Sequence, residues 1–272
     1  MPTSGYAGRL SGTLRADMRL RVSLIGSIVL LATLFSTSPG RAATAVVRDG
    51  NTIQLGDVVY RLDGIDAPEL DQVCIDDHAD PWTCGVEARE QLAKLVGGRQ
   101  VGCDDLGPDP AYRKRHVGIC TVEGETMSLN QQLVRQGFAI SPSSFVKVAF
   151  ASDQASAQGD RRGLWKGCFA NPHDFRIGKK DGTLLGGACR TDRDSEIRAV
   201  LFPNDPAMPP SCSIKGKFAA RARVTGNIGI YHLRGCPSYA GLTGPDRWFC
   251  SEDDAKAAGF RAAYNCRAGR GK

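Results

Sequence analysis

The sequence predicts a mixed α+β chain: a small five-stranded Greek-key barrel of the OB type with helices packed on it, then a small disulfide-rich C-terminal domain. Three observations carry this. Short Val- and Ile-rich runs broken by tight turns come first, helical patterns follow late, and all ten cysteines lie at or beyond Cys74.

Residues 46–48, 52–55 and 58–62 are broken by Asp49-Gly50-Asn51 and Gly56-Asp57 and read as a β-meander. Residues 86–96 space their apolar side chains as a surface helix does and stop at Gly97-Gly98. Two further strands are expected at 100–104 and 116–122, each with a cysteine, and helices at 127–135 and 146–158. From Arg176 the chain turns to Gly, Arg, Lys and Pro, which sets the first domain at 46–176, a connecting region at 177–211 and a small basic module at 212–266. Within the module, 220–224 and 228–232 read as a hairpin around Gly226-Asn227, and Ser251 heads a helix-starting capping box.

With 272 residues, 42% of them hydrophobic, the chain can bury a core. Arg9, Arg15, Arg19 and Arg21 precede an apolar run at 22–35 and the small residues Ala42-Ala43-Thr44-Ala45, the order of a secretory signal peptide over 1–45, cleaved between Ala43 and Val46. The run falls short of the roughly 20 apolar residues a membrane span needs, so no stable span is expected after signal removal; an uncleaved anchor is the other reading. Export to the periplasm or beyond agrees with an even number of cysteines, which argues for disulfides, and no Cys-x-x-Cys points to a zinc ribbon. Residues 46–175 hold 13 basic against 19 acidic side chains, and 176–272 hold 17 against 9. A basic second half suits a polyanion such as DNA or RNA, and equally an ordinary solvated surface.

One cluster carries chemistry. Hydrolysing a phosphodiester takes a base for water, cations for the charge that builds on phosphorus oxygens and usually a metal. Glu69 is the candidate base, Arg61 and Arg115 are candidate clamps, and Asp66 with Asn51 are candidate metal ligands. Arginine suits the clamp because its planar fork meets two phosphate oxygens and stays charged. Arg113 and Lys114 are candidate phosphate contacts, in a run that also reads as a solvated basic loop.

These residues resemble the staphylococcal nuclease-like, or thermonuclease, family. The matching motifs are Asp49-Gly50-Asn51-Thr52, Arg61-Leu62-x-x-Ile65-Asp66-Ala67-Pro68-Glu69, Arg115, Asn130-x-x-Leu133-Val134-Arg135-Gln136-Gly137-Phe138-Ala139 and Gly163-Leu164-Trp165. The resemblance implies an OB-fold nuclease cleaving DNA and RNA with calcium and leaving 3′ phosphates. In it Arg61, Glu69 and Arg115 are catalytic, Asp66 and the Ala67 carbonyl hold the metal, and Asp49 stands behind them. Asn51 takes the place of the family's other metal-binding aspartate, and an amide lacks the charge that holds a divalent ion. Arg113-Lys114 replaces a Tyr-Gly, with Tyr112 nearby, and Phe145 and Phe150 occupy the stretch of the family's base-stacking tyrosines. In the expected barrel Cys103 and Cys120 lie on paired strands and form the first disulfide. Cys74 and Cys84 close the acidic loop after Glu69, and the other six cysteines allow 15 connectivities.

The C-terminal module resembles the small "sunset" module of bacterial nucleases through Ile214-Lys215-Gly216-Lys217, Gly229-Ile230-Tyr231-His232-Leu233-x-Gly235-Cys236 and Trp248-Phe249-Cys250-Ser251-Glu252. Lys215 and Arg234 are its candidate nucleic-acid contacts, and His232 with Cys212, Cys236 and Cys250 could instead hold zinc. Two function classes follow: a secreted calcium-dependent nuclease, or a secreted protein that binds nucleic acid without cleaving it.

Overall fold

The computed structural model describes residues 43–142 and 149–266. Residues 1–42 of the expected signal peptide over 1–45, and Phe145, lie outside them.

The first sheet is built from β1 (Ala43–Thr44), β2 (Val46–Asp49), β3 (Thr52–Leu55) and β4 (Val58–Leu62), which follow the expected meander. A two-stranded ribbon comes next, β5 (Cys74–Ile75) with β6 (Pro81–Trp82), and leads into α1 (Cys84–Val96). α1 ends at Gly97, whose left-handed backbone suits a residue without Cβ. β7 (Gln100–Pro108) and β8 (His116–Val122) complete the sheet, in the order β1-β7-β8-β4-β3-β2. A closed five-stranded barrel is corrected here: six strands take part and the edge strands β1 and β2 do not pair with each other. The register of β2 shifts between Val47 and Asp49, and such a bulge twists an edge and ends its pairing.

α2 (Leu129–Arg135), capped by Ser128, and α3 (Ala151–Gly159) follow. Ile53, Leu62, Ile65, Ala88, Leu92, Val101, Leu129 and Leu133 form the core under the sheet, with Phe150 packed against it. Buried Asn130 donates to the carbonyls of Asp63 and Gly118 and accepts from the Cys120 N–H, so it holds the turn before the candidate site against β8.

β9 (Phe169–Ala170), α4 (Pro172–Arg176), β10 (Leu184–Leu185) and α5 (Asp194–Leu201) come next. β10 pairs with β9, and Leu201 is buried with Ile75 and Cys168. The last unit carries β11 (Ile214–Phe218), β12 (Gly229–His232), β13 (Arg247–Phe249), α6 (Glu252–Ala257) and β14 (Phe260–Ala262). Its sheet order is β13-β11-β12-β14. One face packs Tyr231, Phe249 and Phe260 under Ala255 of α6. The expected hairpin at 220–232 is corrected: Ala220–Thr225 is a 3-10 helix ended by Gly226 at φ 73°, and β12 pairs with β11 instead. The alanines in Ala-Arg-Ala-Arg favour the helical turn, and their alternation with arginine only imitates a strand.

Five disulfides staple the chain: Cys74–Cys84, Cys103–Cys120, Cys168–Cys189, Cys212–Cys250 and Cys236–Cys266. Cys103 and Cys120 face each other across β7 and β8. With Cys212, Cys236 and Cys250 oxidised, no thiolates remain for a zinc site with His232.

Two glycines let the site close. A Cβ at Gly50 would stand 2.8 Å from the Ala67 Cβ and 2.9 Å from that of Ala88. One at Gly85 would collide with the Glu69 carbonyl, so α1 can lie against the backbone that carries Glu69 only because Gly85 has none. Gly85→Ala is therefore expected to cost about 1–3 kcal/mol, as overpacking does, read as a lowered midpoint in urea unfolding; an unchanged midpoint would rule out this close approach.

Candidate active site

Strand pairing gathers the candidate residues. β4 runs parallel to β8 with Arg61 opposite Val117, so Arg61 and Arg115, just before β8, come to the same end of the sheet. Asn51 sits in the β2–β3 turn, where its carbonyl accepts from the Leu62 N–H at 2.8 Å. Asp66 is pinned by a pair of backbone hydrogen bonds with Ile140. Asp49, Asn51, Arg61, Glu69 and Arg115 line one cavity of about 430 Å³, together with Asp109 and Arg176. Ile228, Asp254 and residues 257–259 of the C-terminal unit form its other wall.

Two guanidiniums that the motif does not contain hold Glu69. Arg176 Nε donates to Glu69 Oε1 at 2.6 Å, and Arg247 Nη2 donates to Oε2 at 2.9 Å. Burial alone would raise the Glu69 carboxyl, but Arg176 and then Arg247 outweigh it and hold it down to about 2. Arg247, 1% exposed, also donates Nε and Nη2 to Asp71 at 2.9–3.1 Å. Asp71 is further satisfied by the Trp248 N–H at 2.7 Å, so this buried ion pair leaves neither charge alone. Arg247 Nη1 reaches the Arg176 carbonyl, and its guanidinium lies 4.9 Å from the Phe175 ring centroid. Burial opposes the charge on Arg176 and on Arg247, yet their carboxylate partners raise both pKa values.

The expected second clamp has its own partner. Arg115 donates Nε and Nη2 to Asp109 Oδ2 at 2.9 and 2.7 Å, which leaves Nη1 free of Asp109. Asp109 stands six residues before Arg115 across a tight loop, and the sequence reading did not single it out. Asp49 accepts from the Asn51 N–H at 2.9 Å, and burial raises its pKa. Asp254 of α6 is pushed up to about 6, by burial first and then by the carboxylates of Asp49 and Glu69.

The donor set fits a divalent cation poorly. Asp66 Oδ1 already accepts from Arg61 Nη2 at 3.1 Å, Arg176 Nη2 at 2.5 Å and Asn51 Nδ2 at 3.4 Å. Asn51 thus turns its amide nitrogen towards Asp66 Oδ1, and of the expected ligands Asp66 Oδ2 and the Ala67 carbonyl remain. Among the described residues no three His, Cys, Asp or Glu side chains converge as a metal centre.

The outlying candidates divide. Arg113, Lys114 and Arg234 are exposed. The Lys215 ammonium donates to the carbonyls of Tyr239 and Leu242 and lies 4.4 Å from the Tyr239 ring centroid. Phe150 packs into the core instead of offering a stacking face.

Guanidiniums around a carboxylate in a cavity at a sheet end define an anion-handling site suited to phosphoryl chemistry. Residues 59–167 match the family described as Staphylococcal nuclease homologue. Over 156 residues the chain is 31% identical to the succinoglycan biosynthesis protein ExoI of Rhizobium meliloti (strain 1021), covering 56% of this chain and 80% of that protein. The chain belongs to the staphylococcal nuclease homologue family, whose members are nucleases. Arg176 and Arg247 both lie beyond the residues matched to the family.

Arg247→Met strands Asp71 without its charge partner, which costs about 3–5 kcal/mol for a broken buried pair; calorimetry showing no fall in Tm would remove Arg247 from this role. Two pH effects of opposite sign follow. Glu69, shifted down from 4.5, contributes stability fully present above pH 4.5 and lost as the pH falls towards 2. Asp254, shifted up from 3.8, makes stability fall as the pH rises from 3.8 to about 6. Asp254→Asn should therefore gain in Tm over the natural chain above pH 6, with the gap closing below pH 4; a gap independent of pH would refute the assignment.

Proposed function

We propose that this chain is an exported phosphodiesterase that cleaves DNA or RNA. The observation that carries the reading is the convergence of Glu69, Arg61, Arg115 and Arg176 on one cavity. Five disulfides support an oxidising compartment, and among the described residues no helix is long and apolar enough to cross a membrane.

Arg61 and Arg115 grip the non-bridging oxygens of the scissile phosphate. Glu69, ionised at neutral pH, takes a proton from the attacking water. The new bond joins water oxygen to phosphorus, the P–O5′ bond breaks, and the 5′ oxygen leaves with a proton from solvent, so the product carries a 3′ phosphate. A carboxylate held near 2 is a weak base. A substrate phosphate competes for Arg176, and as that guanidinium turns to the phosphate, Glu69 regains basicity where it is needed.

The resemblance implies calcium at Asp66, Asn51 and Ala67, and no step here is routed through it, because Arg176 already lies between Asp66 and Glu69. A single positive charge there matches a site in which an uncharged Asn51 replaces a carboxylate. The C-terminal unit, which resembles sunset modules, supplies Arg247 to the site and holds the polyanion. The second reading, a protein that binds nucleic acid without cleavage, is favoured by the ion pairs that engage both Glu69 and Arg115.

Plasmid digestion separates the two. Digestion is run with calcium and with chelator, and Glu69→Gln is expected to lower turnover by about 10²–10⁴-fold, the worth of a general base. A band shift with no cleavage at any calcium concentration would leave only the binding reading.

A further inference from the structure

The C-terminal sheet has a second face that α6 does not cover. Side chains alternate along a strand, so Ile230 and His232 of β12 point away from Tyr231, which packs under α6. β14 runs parallel to β12 with Arg261 opposite Ile230, which brings Arg261 and Ala263 to the same side. The 3-10 helix at Ala220–Thr225 walls this face, burying Ala222 against Ile230 and Ala263. What remains is a cavity of about 460 Å³ with Ile230 and Ala263 among its lining and Arg221, Arg261, His232 and Tyr264 around it.

Its polar groups await a ligand. His232 is 7% exposed, and its Nδ1 lies 2.7 Å from Ser238 Oγ, which in turn donates to Asn265 Oδ1 at 3.0 Å. With the Ser238 proton on Asn265 Oδ1, His232 Nδ1 donates to Ser238 and Nε2 has no partner among the described residues. The Arg261 Nε is buried with no acceptor among them. Arg261 Nη1 donates to the Ala262 carbonyl at 3.0 Å, which leaves Nη2 for a ligand oxygen. The Arg261 guanidinium lies 4.0 Å from the ring centroid of Tyr264, which is itself 78% exposed. Cys236–Cys266 ties down the segment that carries Tyr264 and Asn265.

We propose that this cavity binds a nucleotide: Arg221 and Arg261 take its phosphate, His232 Nε2 accepts from a sugar hydroxyl, and Tyr264 offers a stacking edge for the base. Guanidiniums suit phosphate, and an exposed aromatic beside them suits any base. The site does not depend on cleavage elsewhere in the chain. It lies close to the other cavity: Ile228 and Gly259, which line that one, stand just before β12 and β14 and precede Ile230 and Arg261 by two residues. The occupant is therefore a free nucleotide or the terminal nucleotide of a strand that runs on into the catalytic cavity.

The test is NMR titration of the full chain with adenosine monophosphate, with adenosine, with inorganic phosphate and with a short oligonucleotide. The monophosphate is expected to shift resonances of residues 221–232 and 261–265 and to bind at least tenfold more tightly than adenosine or phosphate alone. Arg221→Ala, at an exposed position, should weaken it about tenfold with an unchanged melting temperature, and Arg261→Lys should weaken it while keeping the charge. An oligonucleotide that perturbs the same residues more tightly than the monophosphate identifies a strand end; a weaker one identifies a free nucleotide. No shift at millimolar monophosphate, or equal binding by both variants, overturns the proposal.

Discussion

Arg247 is the constraint on which the rest of the molecule turns. It comes from the C-terminal unit, lies fully buried, and divides its donors between Asp71 and Glu69 while touching the Arg176 carbonyl. A charge so far from water is tolerable only where carboxylates meet it at hydrogen-bond distance, and both of its partners flank the same loop of the nuclease unit. The C-terminal unit therefore forms one wall of the cavity around Glu69, and its sheet is held in place by a side chain that helps keep the Glu69 carboxyl ionised.

The same network explains how this site differs from the chemistry its motif promises. A divalent ion needs several oxygens free to coordinate it, and Asp66 Oδ1 has given its capacity to three N–H donors. Arg176 supplies a positive charge between Asp66 and Glu69. Asp254, facing Asp49 and Glu69 from α6, carries the remaining tension as a raised pKa.

The two faces of the C-terminal sheet divide the labour of that unit. The face under α6 is aromatic and apolar and gives the unit its core. The opposite face keeps His232 and Arg261 beside a cavity, and the residues just before β12 and β14 line the cavity around Glu69. Lys215, which the sequence offered as a ligand contact, also donates to the carbonyls of Tyr239 and Leu242.

The sequence by itself determined the local elements and the family. The strands at Thr52–Leu55, Val58–Leu62 and His116–Val122 follow from period-two patterns and turn residues, because such patterns depend only on near neighbours. The cysteines on β7 and β8 meet because those strands pair. Local pattern failed at Ala220–Thr225, where alternating alanine and arginine served a 3-10 helix. Only the tertiary structure decided which charges surround Glu69. Arg176 lies 107 residues away from it and Arg247 178 residues away, and no periodicity or spacing encodes a salt bridge of that range. Such a pair exists because burial removes water as a competing partner, and that happens only once both units have packed.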